Sequence, residues 1–392
     1  MDLKLTADHE RYRQEVVGFL DEHWNGLNQC DRADPDQLRA FRDAATAAGL
    51  LYRSVPRRFG GSEQPADIVK LYVIHEEFAR SRAPREVPGN GVNNLVPTLL
   101  ERGEEWQRER FIPHTLTGKY LWCQGYSEPG AGSDLASLTT TARLDGDEWV
   151  INGQKIWTSF AAESSHMYVL VRTEPAQPRH LGLSYLLLEM SRPGIEVRPL
   201  RQMTGEMQFN EVFFDDVRTP ADWVVGERGH GWSVSRSTLK HERNSLGSSA
   251  RSEALFGSLV ELARVVELHG RPAIEDSVVR DRLAALDARV SAQRWSGYLQ
   301  LTRAAADRLP GRIGLTNKLM STFIAHEIAA VAQIILGDHG LFAFEDGQRG
   351  PERWFGQIFG SLGFSIAGGT SNIQRNIVAE RGLGLPRMGV AS

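Results

Sequence analysis

The chain has 392 residues with 41% hydrophobic and 24% charged side chains, and its formal net charge is −4. This length is sufficient for two or three compact units, and the composition is that of a globular protein without a disordered or fibrous bias. The small negative charge argues against a nucleic-acid-binding protein. Lysine occurs at only 6 positions, so the basic residues are mainly arginine, a usage typical of a GC-rich bacterial genome.

The two cysteines and the apolar segments bear on the compartment. Cys30 and Cys123 lie far apart and lack metal-ligand spacing, so neither a disulfide framework nor a zinc site is predicted. The N-terminus shows no apolar signal core and no transit-peptide character. The longest apolar helical segment, 328–336, contains Gln333 and is too short to span a bilayer. We therefore expect a cytoplasmic protein that does not insert into a membrane.

The first 118 residues are predicted to be helical. Asp34 followed by Pro35 indicates an N-cap with proline at the first helical position, and Gly49 suits the end of that helix. Residues 68–78 repeat apolar side chains at helical spacing, after a break over 55–61 that contains Pro and Gly. The His-Glu pairs at 75–76 and 326–327 lack a second histidine one turn later, so we interpret them as helix-face residues and predict no metal site.

From Tyr120 the pattern changes to that of strands. The dipeptides Asp145-Gly146 and Asn152-Gly153 lie between runs rich in Thr, Val, Ile and Trp, which predicts two hairpin turns. We expect a small β-barrel or sandwich with Cys123 in its core. Further strands are predicted over Met167 to Arg172, Leu183 to Leu188, Ile195 to Pro199 and Glu211 to Phe214.

After residues 229–232 the helical period returns and lasts to the end of the chain. A long helix is predicted over Asn317 to Leu336. The sequence Ser-Asn-Ile-Gln at 371–374 is typical of a capping box that opens a helix, and this helix is predicted to stop at Gly382. No strand–GxGxxG–helix unit or P-loop is present, which argues against nicotinamide binding on a Rossmann domain.

Two short stretches suggest a ligand site. Residues 123–134 read Cys-Gln-Gly-Tyr-Ser-Glu-Pro-Gly-Ala-Gly-Ser-Asp, and residues 154–159 read Gln-Lys-Ile-Trp-Thr-Ser. Small residues at 130–132 let backbone N–H groups approach a flat or anionic ligand, and Ser127 and Ser133 add hydroxyls. Trp157, followed by two hydroxyls, suits an aromatic ring that needs both stacking and hydrogen bonds. On these residues alone, a glycine-rich loop and a core tryptophan of a β-barrel remain the alternative.

The order of these motifs resembles the signature of the acyl-CoA dehydrogenase family. The resemblance extends over the whole chain, including Phe-Phe-Asp-Asp-Val-Arg-Thr-Pro at 213–220 and Gly-Thr-Ser-Asn-Ile-Gln-Arg at 369–375. It implies an α+β multidomain fold with an N-terminal helical domain (1–118), a central β-barrel or sandwich (119–226) and a C-terminal domain like a four-helix bundle (227–392).

The resemblance also implies the activity. A member of the family uses FAD to oxidise an acyl-CoA thioester between its α and β carbons, with the β-hydride passing to flavin N5. Such enzymes belong to lipid metabolism and fatty-acid β-oxidation, pass electrons to electron-transfer flavoprotein, and form tetramers built from dimers. We therefore expect a homotetramer, with a heterotetramer as the alternative.

Site residues follow from the resemblance by matching position. The backbone at Tyr126 and Ser127 and the hydroxyls of Ser127 and Ser159 would bond the isoalloxazine, with Trp157 against the ring. Thr370 and Asn372 would meet the FAD of a neighbouring subunit. The cofactor set is Gln124, Tyr126, Ser127, Trp157, Thr158, Ser159, Arg271, Thr370 and Asn372, and the substrate set is Ser133, facing the CoA arm, and Arg243.

The catalytic base departs from the commonest family pattern. Many members carry a glutamate immediately before Gly-Thr-Ser, where this chain has Gly368, which keeps a backbone N–H for the thioester oxygen but has no carboxylate. A second branch of the family places the base on the first helix after Gly-Trp, and that position matches Glu242, followed by Arg243. We expect Glu242 to remove the α-proton, and a solvated helix glutamate beside Arg243 is the alternative interpretation.

Two further features leave alternatives open. Residues 269–274 read His-Gly-Arg-Pro-Ala-Ile where the family usually shows Arg-x-x-Phe-Gly, so an FAD contact across subunits through Arg271 is less expected than isoalloxazine binding. An oxidase, a dehydrogenase of acyl-carrier-protein thioesters and a catalytically silent subunit of a heteromer all fit the same motifs. Gly368 and Gly369 leave side-chain volume that suits a branched or bulky acyl group, although Phe364 could refill it.

Overall fold

The computed structural model describes residues 6–24, 34–246, 249–306, 311–337 and 353–386. The chain divides into two compact units. The first contains Asp2–Leu200 and Met207–His241, and the second contains Glu242–Ser392 together with Arg201–Glu206. The predicted boundaries of three domains stay a prediction, and Cys30 lies outside the described residues.

Helices precede the strands in the first unit, as predicted. The start of α2 follows the capping signal, because the Asp34 side chain accepts a hydrogen bond from the Asp36 amide and Pro35 is the first helical residue. Gly49 follows the end of this helix with a φ of +76°. The helices are α1 (Ala7–His23), α2 (Pro35–Ala47), α3 (Ile68–Arg80), α4 (Val96–Arg102) and α5 (Glu105–Leu116).

Seven strands of the first unit form one sheet in the order β1-β4-β2-β3-β7-β6, with β5 beside β4. The β1–β4 and β2–β4 pairings are parallel, whereas β3 pairs antiparallel with both β2 and β7. The predicted central β-structure is confirmed. The strands are β1 (Trp122–Gly125), β2 (Thr141–Asp145), β3 (Glu148–Ser159), β4 (His166–Arg172), β5 (Leu183–Glu189), β6 (Ile195–Leu200) and β7 (Phe209–Pro220).

The sheet separates two apolar cores. Along β4, Met167 and Val169 join one buried cluster while Tyr168 and Leu170 join another, as the alternation of side chains along a strand requires. Cys123 belongs to the first of these clusters and is fully buried, so its predicted core position is confirmed.

One predicted hairpin is wrong. Asp145 and Glu148 pair across the expected turn at Gly146, but Asn152-Gly153 lies inside β3, at a shift in register against β7. Gly153 has a φ of +142°, and a Cβ there would lie 2.7 Å from Thr140 Cα. Gly153 therefore allows a β-bulge and a close approach of the two backbones. The Asn-Gly dipeptide gives the same sequence signal here as it does in a hairpin turn.

The second unit is mainly helical. Helix α6 (Gly231–Leu246) begins in the first unit and ends in the second. A short hairpin of β8 (Glu267–Leu268) and β9 (Arg271–Pro272) interrupts the helices, so the prediction of helix throughout this region is wrong at that point. The hairpin turns at His269 and Gly270, both with positive φ. The remaining helices are α7 (Ser249–Val265), α8 (Ser277–Ala305), α9 (Asn317–Leu336), α10 (Arg353–Phe364) and α11 (Ser371–Ile377).

Helix α9 has the bounds that the sequence predicts, and it packs against α7, α8 and α10. With the preceding turn it forms the described stretch Arg312–Leu336, which is long and apolar enough to cross a membrane by length and composition. This corrects the prediction that the apolar segment is too short. Half of its most apolar window is buried inside the protein, and core helices of soluble proteins meet the same criterion.

Candidate active site

The first predicted half of the site is built on β3 and the loop after β1. The backbone N–H of Ile156 leaves the sheet ladder and donates to the Ser127 carbonyl at 2.9 Å. Gln124 lies on β1, where its Oε1 accepts a hydrogen bond from the Tyr168 hydroxyl at 2.7 Å. The structure thus brings Gln124, Ser127 and the end of β3 together within one unit.

Trp157 stands on an irregular part of β3. The pairing of β3 with β7 shifts register between Lys155 and Thr158, and Trp157 has a φ of +61°. This left-handed conformation is unfavourable for a bulky residue and persists only where the surrounding structure holds it. The indole is 58% exposed, with the Phe209 ring packed edge-on at 6.0 Å. The bulge therefore presents an aromatic face on the surface of the unit.

Polar atoms surround this indole. Ser127 and Ser159 are partly exposed residues, each with a hydroxyl that can donate and accept hydrogen bonds. Thr158 Oγ1 is buried and has no hydrogen-bond partner among the described residues. Gly130 and Gly132 face open space, since a Cβ on either would meet nothing within 4 Å. The surface therefore combines an exposed aromatic face, two hydroxyls and the uncovered backbone of two glycines. Such a surface is suited to a flat, polar ring system.

Two other residues of the first unit flank this surface. Ser133 is exposed, one residue before Asp134, whose carboxylate pairs with Arg179 at 2.7 Å. Tyr126 is buried, and its carbonyl oxygen accepts a hydrogen bond from Lys155 Nζ at 3.1 Å. Tyr126 can therefore meet a ligand through its backbone rather than through its ring.

The second predicted half of the site lies in the other unit. Glu242 follows His241 in α6, and its Oε2 atom is buried. Burial lowers the pKa of Lys318, and the nearby Glu242 carboxylate partly offsets this effect by raising it. Lys318 Nζ donates to the carbonyl oxygens of Phe364 at 2.6 Å and Gly369 at 3.0 Å. The Glu242 carboxylate thus acts electrostatically on the ammonium that holds the turn containing Gly368. The side chain of Arg243 lies outside the described residues.

This turn differs in detail from the predicted capping box. Gly368 and Gly369 have φ values of +62° and +94°, so the chain reverses there and becomes extended at Thr370. Thr370, rather than Ser371, is the N-cap of α11, and its hydroxyl accepts from the Ile373 amide at 3.2 Å. The predicted partner Gln374 donates instead to the Gly368 carbonyl at 3.2 Å.

A small cavity lies beside the turn. Its volume is about 20 Å³, which is room for about one water molecule. Phe364 is one of its lining residues. That Phe364 refills the volume beside the two glycines stays a prediction. The cavity is lined by Arg251, Ser252, Leu255, Lys318, Ser321, Thr322, Ile324, Ala325, Phe364 and Ala367.

The remaining predicted cofactor residues lie in two other places of this unit. Arg271 is exposed on β9, next to the His269-Gly270 turn. Asn372 is exposed in the first turn of α11, where its Oδ1 accepts from Arg375 at 2.9 Å. Among the residues that the structure describes, no group of three or more His, Cys, Asp or Glu side chains could hold a metal ion.

Family models match the chain in three consecutive parts. They are the N-terminal domain (6–119), the middle domain (123–217) and the C-terminal domain (229–383) of acyl-CoA dehydrogenase. The chain is also 40% identical over 391 residues to acyl-CoA dehydrogenase IpdE1 of Mycobacterium tuberculosis, covering 97% of this chain and 98% of that protein. The chain belongs to the acyl-CoA dehydrogenase family.

Solved acyl-CoA dehydrogenases have the same fold. The Tcur3481-Tcur3483 steroid ACAD matches with a TM-score of 0.78 and 30% identity over 99% of this chain and 100% of that one. The ChsE4-ChsE5 complex of Mycobacterium tuberculosis matches with a TM-score of 0.78 and 28% identity, with the same coverage. These relationships confirm the predicted fold class. As an acyl-CoA dehydrogenase, the chain is an FAD-dependent oxidoreductase acting on CH–CH bonds.

The surface around Trp157 fits FAD. An isoalloxazine ring needs an aromatic contact together with donors and acceptors along its polar edge, and the exposed indole with the Ser127 and Ser159 hydroxyls offers both.

The sequence did not predict the structural roles of two lysines, Lys155 and Lys318, which hold the two halves of the candidate site. The available signal was a charge inside an otherwise apolar pattern, since Lys318 stands in the first turn of an apolar helix.

Proposed function

We propose that this acyl-CoA dehydrogenase uses Glu242 as the base that removes the α-proton of its thioester substrate. The observation that carries the proposal is the link through Lys318 inside one compact unit. The Glu242 carboxylate acts electrostatically on the Lys318 ammonium, and this ammonium binds the carbonyl oxygens of Phe364 and Gly369 on either side of Gly368. These contacts support a base that acts on the same region as the glutamate that other members of the family carry at the position of Gly368.

The chemistry then divides among a few groups. The Glu242 carboxylate takes the α-proton, and the Gly368 N–H donates to the thioester oxygen as negative charge develops on it. FAD, when bound, would supply the acceptor for the hydride of the β-carbon, and the electron pair left at the α-carbon would form the new C=C bond. Lys318 fixes the carbonyl groups of the turn, which sets the direction of the Gly368 N–H.

The other residues serve binding. Ser127, Trp157 and Ser159 hold the isoalloxazine, with Gln124, Tyr126 and Thr158 supporting them from the buried side. Ser133 and Arg243 contact the CoA substrate. Arg271, Thr370 and Asn372 meet the FAD of a neighbouring subunit, a role that rests on the family pattern.

For the substrate we infer a bulky acyl-CoA with steroid-derived rings. The support is the 30% identity, over nearly the whole chain, to the Tcur3481-Tcur3483 steroid ACAD. The proposed substrate is therefore a steroid-derived thioester rather than a straight fatty acyl chain. The cavity lined by Phe364 and Ala367 has room for about one water molecule, so an acyl group of this size would need space elsewhere.

Assembly is proposed from the same relatives. Two of the solved structures are complexes of two different chains, so a heterotetramer with a related subunit is favoured over the homotetramer. Electron-transfer flavoprotein is the proposed acceptor, and a bacterial cytoplasm is the proposed location, since the relatives that match are bacterial.

A second candidate is a catalytically silent subunit that completes the FAD site of a partner. Two observations favour it. Gly368 lacks a carboxylate, and Arg271 stands in a short hairpin without the usual Arg-x-x-Phe-Gly sequence. Glu242 argues against it.

One experiment separates the two candidates. The protein is purified alone and with a co-expressed related subunit, and flavin bleaching is followed anaerobically with steroid side-chain CoA thioesters and with palmitoyl-CoA. Glu242→Gln keeps size and polarity but cannot accept the proton, so it should lower the rate by about a hundredfold or more while FAD stays bound. Glu253→Gln, a partly exposed glutamate on α7 that pairs with Arg294, is the matched control. A near-original rate in Glu242→Gln would show that the base lies elsewhere or in the partner.

A further inference from the structure

We propose that the buried ion pair of Lys155 and Glu128 is a positioning element of the flavin site. It holds the loop that carries Tyr126 and Ser127 against the strand that carries Trp157 and Ser159. The inference rests on the proposed placement of FAD at this surface, and it assigns a role to two residues that do not contact the reacting atoms.

The pair lies at the centre of the loop–strand junction. Lys155 Nζ donates to Glu128 Oε1 at 2.8 Å and to the Tyr126 carbonyl at 3.1 Å. The two side chains are 0% and 4% exposed. One ammonium thus fixes both the carboxylate and the backbone immediately before Ser127.

Glu128 connects a third segment to the same junction. Its Oε2 accepts from the Thr139 amide at 2.7 Å and the Thr139 hydroxyl at 2.8 Å, and its Oε1 accepts from the Thr140 amide at 2.9 Å. Burial raises the pKa of Glu128, but the Lys155 charge and these hydrogen bonds outweigh burial and hold the pKa at about 2. The carboxylate is therefore charged whenever the protein is folded near neutral pH.

Strand β3 needs the support of the ion pair where its hydrogen bonds to β7 are interrupted. The β3–β7 pairing is regular up to Lys155 opposite Val212 and resumes only at Thr158 opposite Asn210. Between these points the Ile156 amide bonds the Ser127 carbonyl instead of β7. Trp157 therefore receives its position from the loop, and the loop receives its position from the Lys155–Glu128 pair.

General energetics argue against stability as the reason for such a pair. Taking two charges out of water costs several kcal/mol per ion, and well-packed apolar or neutral replacements are often as stable. Removing one partner alone leaves a buried uncompensated charge, which is strongly destabilising. The double replacement therefore distinguishes positioning from stabilisation.

The experiment uses the full chain and four variants. They are Lys155→Met, Glu128→Gln, the double variant, and the control Arg218→Met, which removes exposed ion pairs of β7 with Asp145 on β2 and Glu148 on β3. The melting temperature of the FAD-free protein and the dissociation constant of FAD are measured without acyl-CoA, and hydrogen exchange of residues 126–140 is followed.

We expect both single variants to melt at lower temperature and the double variant to regain most of this loss. The FAD dissociation constant of the double variant should nevertheless rise by about tenfold or more, as for other residues that orient a cofactor contact. Exchange over 126–140 should become faster in the double variant, and the Arg218 control should match the original protein.

The contrary results are equally specific. A double variant with restored melting temperature and unchanged FAD affinity would overturn the positioning role. If the double variant does not fold, Thr139→Val decides, because it removes only one hydroxyl bond to Glu128 and should raise the FAD dissociation constant about threefold. Unchanged affinity in that variant would also overturn the proposal.

A companion variant separates this inference from the assignment on which it rests. If Trp157→Ala weakens FAD binding but the ion-pair variants do not, only the positioning role is wrong. If all of them bind FAD normally, the surface around Trp157 is not the flavin site.

Discussion

Lys318 Nζ lies 3.0 Å from the carbonyl oxygen of Gly369, a residue 51 positions further along the chain. Lys318, at the start of the apolar helix α9, therefore holds a turn whose two glycines have no side chains that could make such contacts. Lys318 also donates to the Phe364 carbonyl, and Gln374 donates to the carbonyl of Gly368 itself, so these contacts together hold the turn.

Replacing this lysine should disturb the turn. Lys318→Met keeps the aliphatic stem but loses both hydrogen bonds, which should lower the free energy of unfolding by about 2 kcal/mol. The rate of flavin bleaching by substrate should fall more than FAD affinity does. Lys119→Met, an exposed lysine of the first unit, is the control. Equal effects of the two substitutions on bleaching would contradict the proposed role of Lys318.

The turn should also reject any side chain at its second glycine. Gly369→Ala places a Cβ 2.9 Å from Gln374 Nε2 at a φ of +94°, so we expect a loss of about 1–3 kcal/mol in stability. Gly257→Ala, inside α7 with nothing within 4 Å, should instead stabilise by up to about 1 kcal/mol. Chemical denaturation of the two variants measures both values, and a tolerant Gly369→Ala would show that the turn is not constrained.

A second pair of glycines tests the bulge in β3. Gly153→Ala and Gly146→Ala both introduce a side chain at positive φ, but only the former meets the Thr140 backbone, at 2.7 Å. Gly146→Ala should cost about 1 kcal/mol, and Gly153→Ala should cost clearly more and weaken FAD binding through Thr140 and Glu128. Similar melting temperatures for the two variants would exclude a special role for the bulge.

Acid should destabilise the protein through two histidines. Burial, reinforced by Arg110 and His114 and opposed by Glu189, lowers the pKa of His166 to about 4, and burial with Arg85 lowers the pKa of His75 to about 4. Between about pH 6.5 and 4 the unfolded chain therefore binds protons that the folded chain does not, so stability falls as the pH falls.

The size of this effect can be assigned by substitution. His166→Phe should reduce the slope of unfolding free energy against pH in this window by up to about 1.4 kcal/mol per pH unit, and His75→Phe should act in the same direction. Urea denaturation at pH 7 and pH 5 measures the slope. An unchanged slope in both variants would mean that these histidines bind protons equally in the folded and unfolded chains.

Local signals in the sequence predicted most of the elements. The Asp34-Pro35 cap, the bounds of α9 and the short apolar strands β4 and β5 follow from capping, helical periodicity and short apolar runs between turns, because each depends on residues near in sequence. The roles of Glu242 and of the flavin residues came from motif resemblance, and they stay predictions.

Other features could not be predicted because distant contacts decide them. Asn152-Gly153 has the same local signal as a hairpin turn, and only the approach of Thr140 makes it a bulge. Lys155 meets Glu128 across 27 residues, and a lysine in a strand pattern does not reveal its partner. Thr370 rather than Ser371 caps α11 because two glycines with positive φ precede it.

Cys123 offers a way to watch the β-sheet open. Its thiol is buried among the sheet side chains, and burial raises its pKa to about 12, so the reactive thiolate is scarce in the folded protein. A maleimide reagent should therefore modify Cys123 only when the sheet opens transiently. In a Cys30→Ser background, the rate at which Cys123 is labelled, with and without saturating FAD, measures how often the sheet opens. The ratio of the two rates reports how strongly the cofactor holds the sheet closed.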